Sequence, residues 1–207
     1  MNMSLEGKTR RQALTEFREA EILGAARKVF GEHGFAAATI EMIAAAAGVA
    51  KGTLYLYYSS KEEIFWNALS SRFREMIACG KQEVDRAEGT EAKIRAALRV
   101  RFEFFRSDEA FMRMFLTEFG QFCGPGGLHR LPVRELYTES AAYLAQVLAE
   151  GMQKGELRPG DPLETAMALM ELTKAVFAMR FSGLAGQNPE FDGERFVFNL
   201  FWNGVKA

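Results

Sequence analysis

The stretch from Thr39 to Tyr57 leaves few folds open to this chain. It reads Thr-Ile-Glu-Met-Ile-Ala-Ala-Ala-Ala-Gly-Val-Ala-Lys-Gly-Thr-Leu-Tyr-Leu-Tyr, two short helical patterns meeting at Ala47-Gly48-Val49. Small side chains at a crossing let two helices approach closely, and Gly48 supplies the conformation a tight turn needs. Thr39 is the expected N-cap of a first helix over residues 40–47, and residues 50–57 form the second. Ile40, Ile43, Ala44, Val49 and Leu54 then share an inner face. Ala50, Lys51, Gly52, Thr53 and Tyr57 are left on the outer face of the second helix. Short side chains there let the backbone enter a major groove, where Lys51 and Thr53 reach base edges or phosphates. Thr39 and Lys61 each sit at a helix N-terminus, where free N–H groups favour phosphate.

The rest of the chain punctuates as helices. No stretch shows sustained alternation of β-branched residues, so the expected fold class is all-α, with about nine helices. A first helix over 16–32 ends at Gly34. Ser60-Lys61-Glu62-Glu63 is a capping box opening a long connector to about residue 78. Gly89-Thr90 starts the next helix, Asp108 caps one over 109–122, and Cys123-Gly-Pro-Gly-Gly127 is the clearest break. A helix over 132–154 follows. Asp161-Pro162-Leu163-Glu164 starts one running to about 184, and Asn188-Pro189 opens the last, ending near 204. This divides the chain into a three-helix N-terminal domain, residues 1–67 with an unordered arm over about 1–14, and a larger helical domain, 68–207. Lys8, Arg10 and Arg11 in the arm either reach a nucleic acid or are a solvated tail.

Net charge is −1, yet residues 1–61 carry eight Lys and Arg against six Glu, so the N-terminal part is weakly basic and the remainder weakly acidic. The sign of that asymmetry suits phosphate at the N-terminal end. The composition, 48% hydrophobic and 26% charged, is that of a soluble globular protein. No apolar run is long enough to span a bilayer, and residues 1–11 lack the apolar core of a secretory signal. Cys79 and Cys123 fit no metal spacing. A cytoplasmic protein without cofactor or metal is the expectation.

The ordered set Phe30, Gly34, Phe35, Thr39-Ile40, Ile43-Ala44, Ala47-Gly48-Val49, Lys51-Gly52-Thr53-Leu54-Tyr55, Tyr57, Ser60-Lys61-Glu62 and Phe65 resembles the TetR family of bacterial regulators. The resemblance covers about fifty residues. It implies a helix-turn-helix on double-stranded operator DNA, a homodimer with two recognition helices, and repression relieved by a small molecule in the C-terminal domain. By the same resemblance Thr39, Lys51, Thr53, Tyr57 and Lys61 match positions that commonly touch DNA, and removing Lys61 is expected to lower the salt slope of binding by about one. Ala50 stands where Ser is frequent, Leu56 where His is frequent, and Tyr58 replaces a common Phe. Tyr55 is expected in the core rather than on DNA.

The C-terminal part is rich in Phe and Met. Phe111, Phe115, Phe119 and Phe122 recur on one helical face, which a packed core explains. Phe with flexible Met also suits the lining of an apolar cavity, and Phe102, Phe105, Met112, Phe115, Phe119, Met170 and Phe177 are the candidate contacts for a largely hydrophobic effector. The helix over 162–184 is apolar on more than one face. The helix over 189–204 is similar, so the two are expected to pair with their copies in a four-helix dimer interface. Glu118, Arg134, Lys174 and Arg180 could orient a polar ligand group or simply face solvent. His33 and His129 are the only histidines. Neither belongs to a metal or catalytic spacing, and no Walker loop, dinucleotide fingerprint or nucleophile elbow is present, so an enzyme is not expected. The alternative outside gene regulation is a helical adaptor or ligand carrier that no longer binds DNA.

Overall fold

A computed structural model of the chain describes residues 9–121, 134–184 and 190–207, with the side chains of Arg11 and of residues 118–121 excepted. The described residues form nine helices: α1 Arg10–Ala37, α2 Ile40–Ala46, α3 Lys51–Leu54, α4 Lys61–Arg86, α5 Thr90–Ser107, α6 Glu109–Gln121, α7 Arg134–Gln153, α8 Pro162–Phe181 and α9 Gly193–Val205. They divide into two compact units, Met1–Ser71 and Arg72–Ala207.

Local chemistry explains the helix boundaries. α1 begins at Arg10 and not at residue 16, because Thr9 and Gln12 form a reciprocal cap that was not anticipated: the Gln12 N–H donates to Thr9 Oγ1 at 3.3 Å and the Thr9 N–H to Gln12 Oε1 at 2.8 Å. The stretch 10–14 is therefore helical, not an unordered arm; Lys8 and the Arg11 side chain lie outside the described residues. Gly34, at φ 72°, breaks α1 near its end, a conformation that glycine alone takes cheaply. α4 continues past residue 78 to Arg86, with Gly80 tolerated inside it because the neighbouring turns are held by buried Met76, Ile77 and Val84. Ser60 caps α4 by accepting from the Glu63 N–H at 3.1 Å, but the Glu63 carboxylate returns to Ser59, not Ser60. Asp108 and Asp161 cap α6 and α8 as expected, accepting from Phe111 at 2.9 Å and Glu164 at 2.8 Å. α9 starts at Gly193 behind the Asp192 cap. The side chains of Glu118 and Phe119, together with Cys123, His129, Pro132 and Asn188-Pro189, fall outside what is described.

In the first unit Ile22, Ala26, Phe30, Ile43, Leu54, Ile64 and Leu69 form the core. Phe30 and Phe65 meet edge-on at 5.0 Å, and Phe35 meets Phe65 at 5.2 Å. In the second unit α7 and α8 pack along their lengths, and α5 lies against α6, α7, α8 and α9. Its centre is an aromatic cluster: Phe105 stands 5.8 Å from Phe111, 5.4 Å from Phe115 and 5.1 Å from Phe177, and Phe102 stands 4.9 Å from Phe177. Gly151 lets α7 come down on its neighbours, since a Cβ there would lie 2.6 Å from Thr90 Cγ2 and 2.9 Å from Leu157 Cδ1. The chain end is tied in by the Arg158 N–H, which donates to the Val205 carbonyl at 2.7 Å.

Candidate functional site

The α2–α3 pair has one buried face and one open face. Ile43, Ala44 and Leu54 are buried, and Ile40 and Val49 are half-buried. Thr39 caps α2 by accepting from the Met42 N–H at 3.2 Å, and Gly48 makes the turn at φ 64°. On the open side Ala50, Lys51 and Gly52 are exposed, and Thr53 and Tyr57 are half-buried. α3 is shorter than its pattern suggested, one helical turn continued by tighter turns through Tyr57. Tyr55 is 51% exposed, not in the core, and Tyr58, 8% exposed, takes the inner place one turn after Leu54. Leu56 projects into solvent at 82% exposure.

Two cations near this surface are engaged. Lys51 Nζ donates to Glu41 Oε1 across α2 and α3 at 2.5 Å and lies 5.9 Å from the centre of the Tyr55 ring. The hydrogen bond from Lys51 holds the Glu41 carboxyl below its ordinary range, and Glu41 in turn raises the Lys51 ammonium. Lys61 donates to the carbonyls of Phe35 at 2.8 Å and Ala38 at 2.9 Å, with its ammonium 4.6 Å above the Phe35 ring. Lys61 therefore closes the kinked end of α1, a role that its place at a helix start did not reveal.

The second unit holds a partly open pocket between α4, α5, α7 and α8, with a volume of about 40 Å³. Met76, Val84, Arg101, Tyr143, Leu144 and Met170 are among its walls. Of the six expected effector contacts whose side chains are described, only Met170 lines it. Phe102, Phe105, Phe115 and Phe177 belong to the aromatic cluster, and Met112 is buried at 4% exposure. Aromatic rings of this size fill space against one another, so their abundance marks core rather than cavity. Arg101 was missed. The signal was there, because it falls three residues after Leu98 and four before Phe105, on the buried stripe of α5. Of the other charged candidates, Arg134 is exposed, Arg180 is exposed with its guanidinium 5.5 Å from the Phe191 ring, and Lys174 pairs with Glu171. Among the described residues no group of three or more His, Cys, Asp or Glu could hold a metal, and no helix is long and apolar enough to cross a membrane.

Comparison with known proteins matches the geometry. Residues 22–67, which contain α2 and α3, match the family model described as bacterial regulatory proteins, tetR family. The chain is 24% identical over 155 residues to the uncharacterized HTH-type transcriptional regulator YhgD of Bacillus subtilis, covering 75% of this chain and 80% of that one. Its fold is similar to that of the fatty acid degradation regulator FadR from Bacillus halodurans, with a TM-score of 0.77, 22% identity, and coverage of 96% of this chain and 98% of the other. It is also similar in fold to FadR from Bacillus subtilis, solved in complex with stearoyl-CoA, with a TM-score of 0.75, 21% identity, and coverage of 89% and 98%. These relatives are regulators of transcription and not enzymes. With α2 and α3 inside the segment that matches the family model, the chain is a TetR family DNA-binding transcriptional regulator.

Proposed function

We propose that the chain is a repressor that binds a palindromic operator as a homodimer and leaves it when a small, largely apolar effector enters the pocket between α4, α5, α7 and α8. The observation that carries the DNA-binding side is the sidedness of α2–α3: an apolar inner face is buried, while Ala50, Lys51 and Gly52 are exposed and Thr53 and Tyr57 half-buried beside them, with Thr39 at the edge. In this reading Thr53 reads a base, Lys51 and Tyr57 hold phosphates, Ala50 and Gly52 allow close approach, and Lys61 positions the end of α1. The C-terminal domain, taken from about residue 68, serves ligand binding and dimerisation. Exposed apolar side chains on the last two helices support the dimer: Leu163, Met179 and Phe181 on α8, Leu184 just beyond it, and Phe196 and Leu200 on α9. Such a patch is costly on a free monomer. Two copies joined there would present their α3 helices to successive major grooves about 34–36 Å apart. The apolar walls of the pocket support a largely hydrophobic effector, and Met76 and Met170 can repack as it enters.

The deciding experiment is fluorescence anisotropy of the purified chain against its own upstream DNA and a scrambled duplex at one salt concentration. Tight binding to the first alone, lost in Tyr57→Ala, is expected. Equal weak binding to both would favour a carrier without operator recognition. Light scattering at micromolar concentration should give a dimer; a monomer would overturn the α8–α9 interface.

A further inference from the structure

Among the described residues Arg101 is the only charged side chain that is buried, at 7% exposure. It lines the partly open pocket, yet its Nε has no hydrogen-bond partner, and no ion pair holds its guanidinium among the described residues. The acid in its field is Glu171, which makes no ion pair with it: Oε1 accepts from the Tyr137 hydroxyl at 2.5 Å and Oε2 pairs with Lys174. Burial lowers the Arg101 guanidinium from its ordinary value, and Tyr137 and Glu171 only partly offset that. The group remains charged nonetheless, because a guanidinium does not give up its proton in a protein. An unpaired buried cation is destabilising unless an anion arrives to meet it. A purely hydrocarbon effector would leave it unmet. Lys81 brings a second cation to the pocket wall, but its ammonium is 2.6 Å from Glu139. Among the described residues the pocket thus offers one buried positive charge that its surroundings compensate only in part, in a planar fork that suits a carboxylate bidentately.

We propose that Arg101 anchors the carboxylate of a monocarboxylic acid whose apolar body lies among Met76, Val84, Leu144 and Met170. This rests on the reading of the pocket as the effector site, and names the effector's chemical class. A volume of about 40 Å³ holds only two or three waters, so the acid enters by displacing flexible methionine side chains.

The test is thermal shift and calorimetry on the full chain without DNA, using linear carboxylates from butanoate to dodecanoate, benzoate, the matching primary alcohols, and octanoyl-CoA. At least one carboxylate is expected to raise the Tm and bind tenfold or more tightly than its alcohol. Arg101→Met should erase that preference without lowering the ligand-free Tm, since it removes an unpaired buried charge. Arg101→Lys should keep part of it, and serves if the Met variant fails to fold. The proposal is overturned if no carboxylate binds, if acid and alcohol bind alike, if octanoyl-CoA binds more tightly than octanoate, or if Arg101→Met binds acids as the native chain does. Anisotropy on operator DNA with the same preparation separates the two readings: specific DNA binding with no response to acids sinks the anchor alone.

Discussion

The Lys61 ammonium stands 2.8 Å from the Phe35 carbonyl oxygen and 4.6 Å above the Phe35 ring, so one side chain both caps the end of α1 and covers its aromatic neighbour. Lys61→Met keeps the apolar stem but strips the partner from the Phe35 and Ala38 carbonyls. The expected loss is about 2 kcal/mol, the usual order for charged hydrogen bonds, read as a fall in the urea midpoint. Well below the transition, the salt slope of DNA binding should stay within about half a unit of the native value. A fall of about one would return Lys61 to direct phosphate contact.

Glu41→Gln should strengthen DNA binding. It removes an exposed negative charge from the interface and frees Lys51, now held at 2.5 Å, for phosphate. A severalfold gain in affinity on specific and scrambled duplexes alike is expected, measured by anisotropy at fixed salt. The gain should disappear when Lys51→Ala is added, and unchanged affinity in the single variant would place Lys51 away from the DNA.

Gly151→Ala should destabilise the second unit. The added Cβ would meet Thr90 Cγ2 at 2.6 Å and Leu157 Cδ1 at 2.9 Å, so α7 must shift away. Overpacking of this kind costs about 1–3 kcal/mol, and calorimetry should show a lower Tm that the further change Thr90→Ser partly restores. A native-like Tm in Gly151→Ala would show that this packing has slack.

Burial raises the Tyr58 phenol from its ordinary value near 10 to about 12, with Glu19 and Glu63 adding to the effect. Below pH 10 the phenol is neutral in both folded and unfolded chains, and its contribution to stability is complete. Between pH 10 and 12 the unfolded chain ionises first, so that contribution is lost as pH rises. Tyr58→Phe should therefore lose less stability than the native chain across this window. Parallel denaturation curves at pH 9 and pH 11 measure the difference, and equal losses would mean that Tyr58 is solvated.

The helical fold, the nine helices of the described residues and the buried face of α2–α3 follow from the sequence alone, because they are set by short-range chemistry. A threonine or aspartate three residues before an N–H, a glycine at positive φ and an apolar stripe act over a turn or two. What depends on distant parts of the chain was not legible there. Tyr55 turns out to solvent while Tyr58 packs, because the chain tightens after Leu54. The Phe102–Phe105–Phe177 group closes into core instead of lining a cavity, since only packing decides whether facing rings leave space. Lys61 finds the Phe35 and Ala38 carbonyls more than twenty residues away, and Arg101 acquires its meaning from walls supplied by α4, α7 and α8. Periodicity tells which side of a helix is buried. What it is buried against, and whether a charge there finds a partner, is a property of the assembled helices.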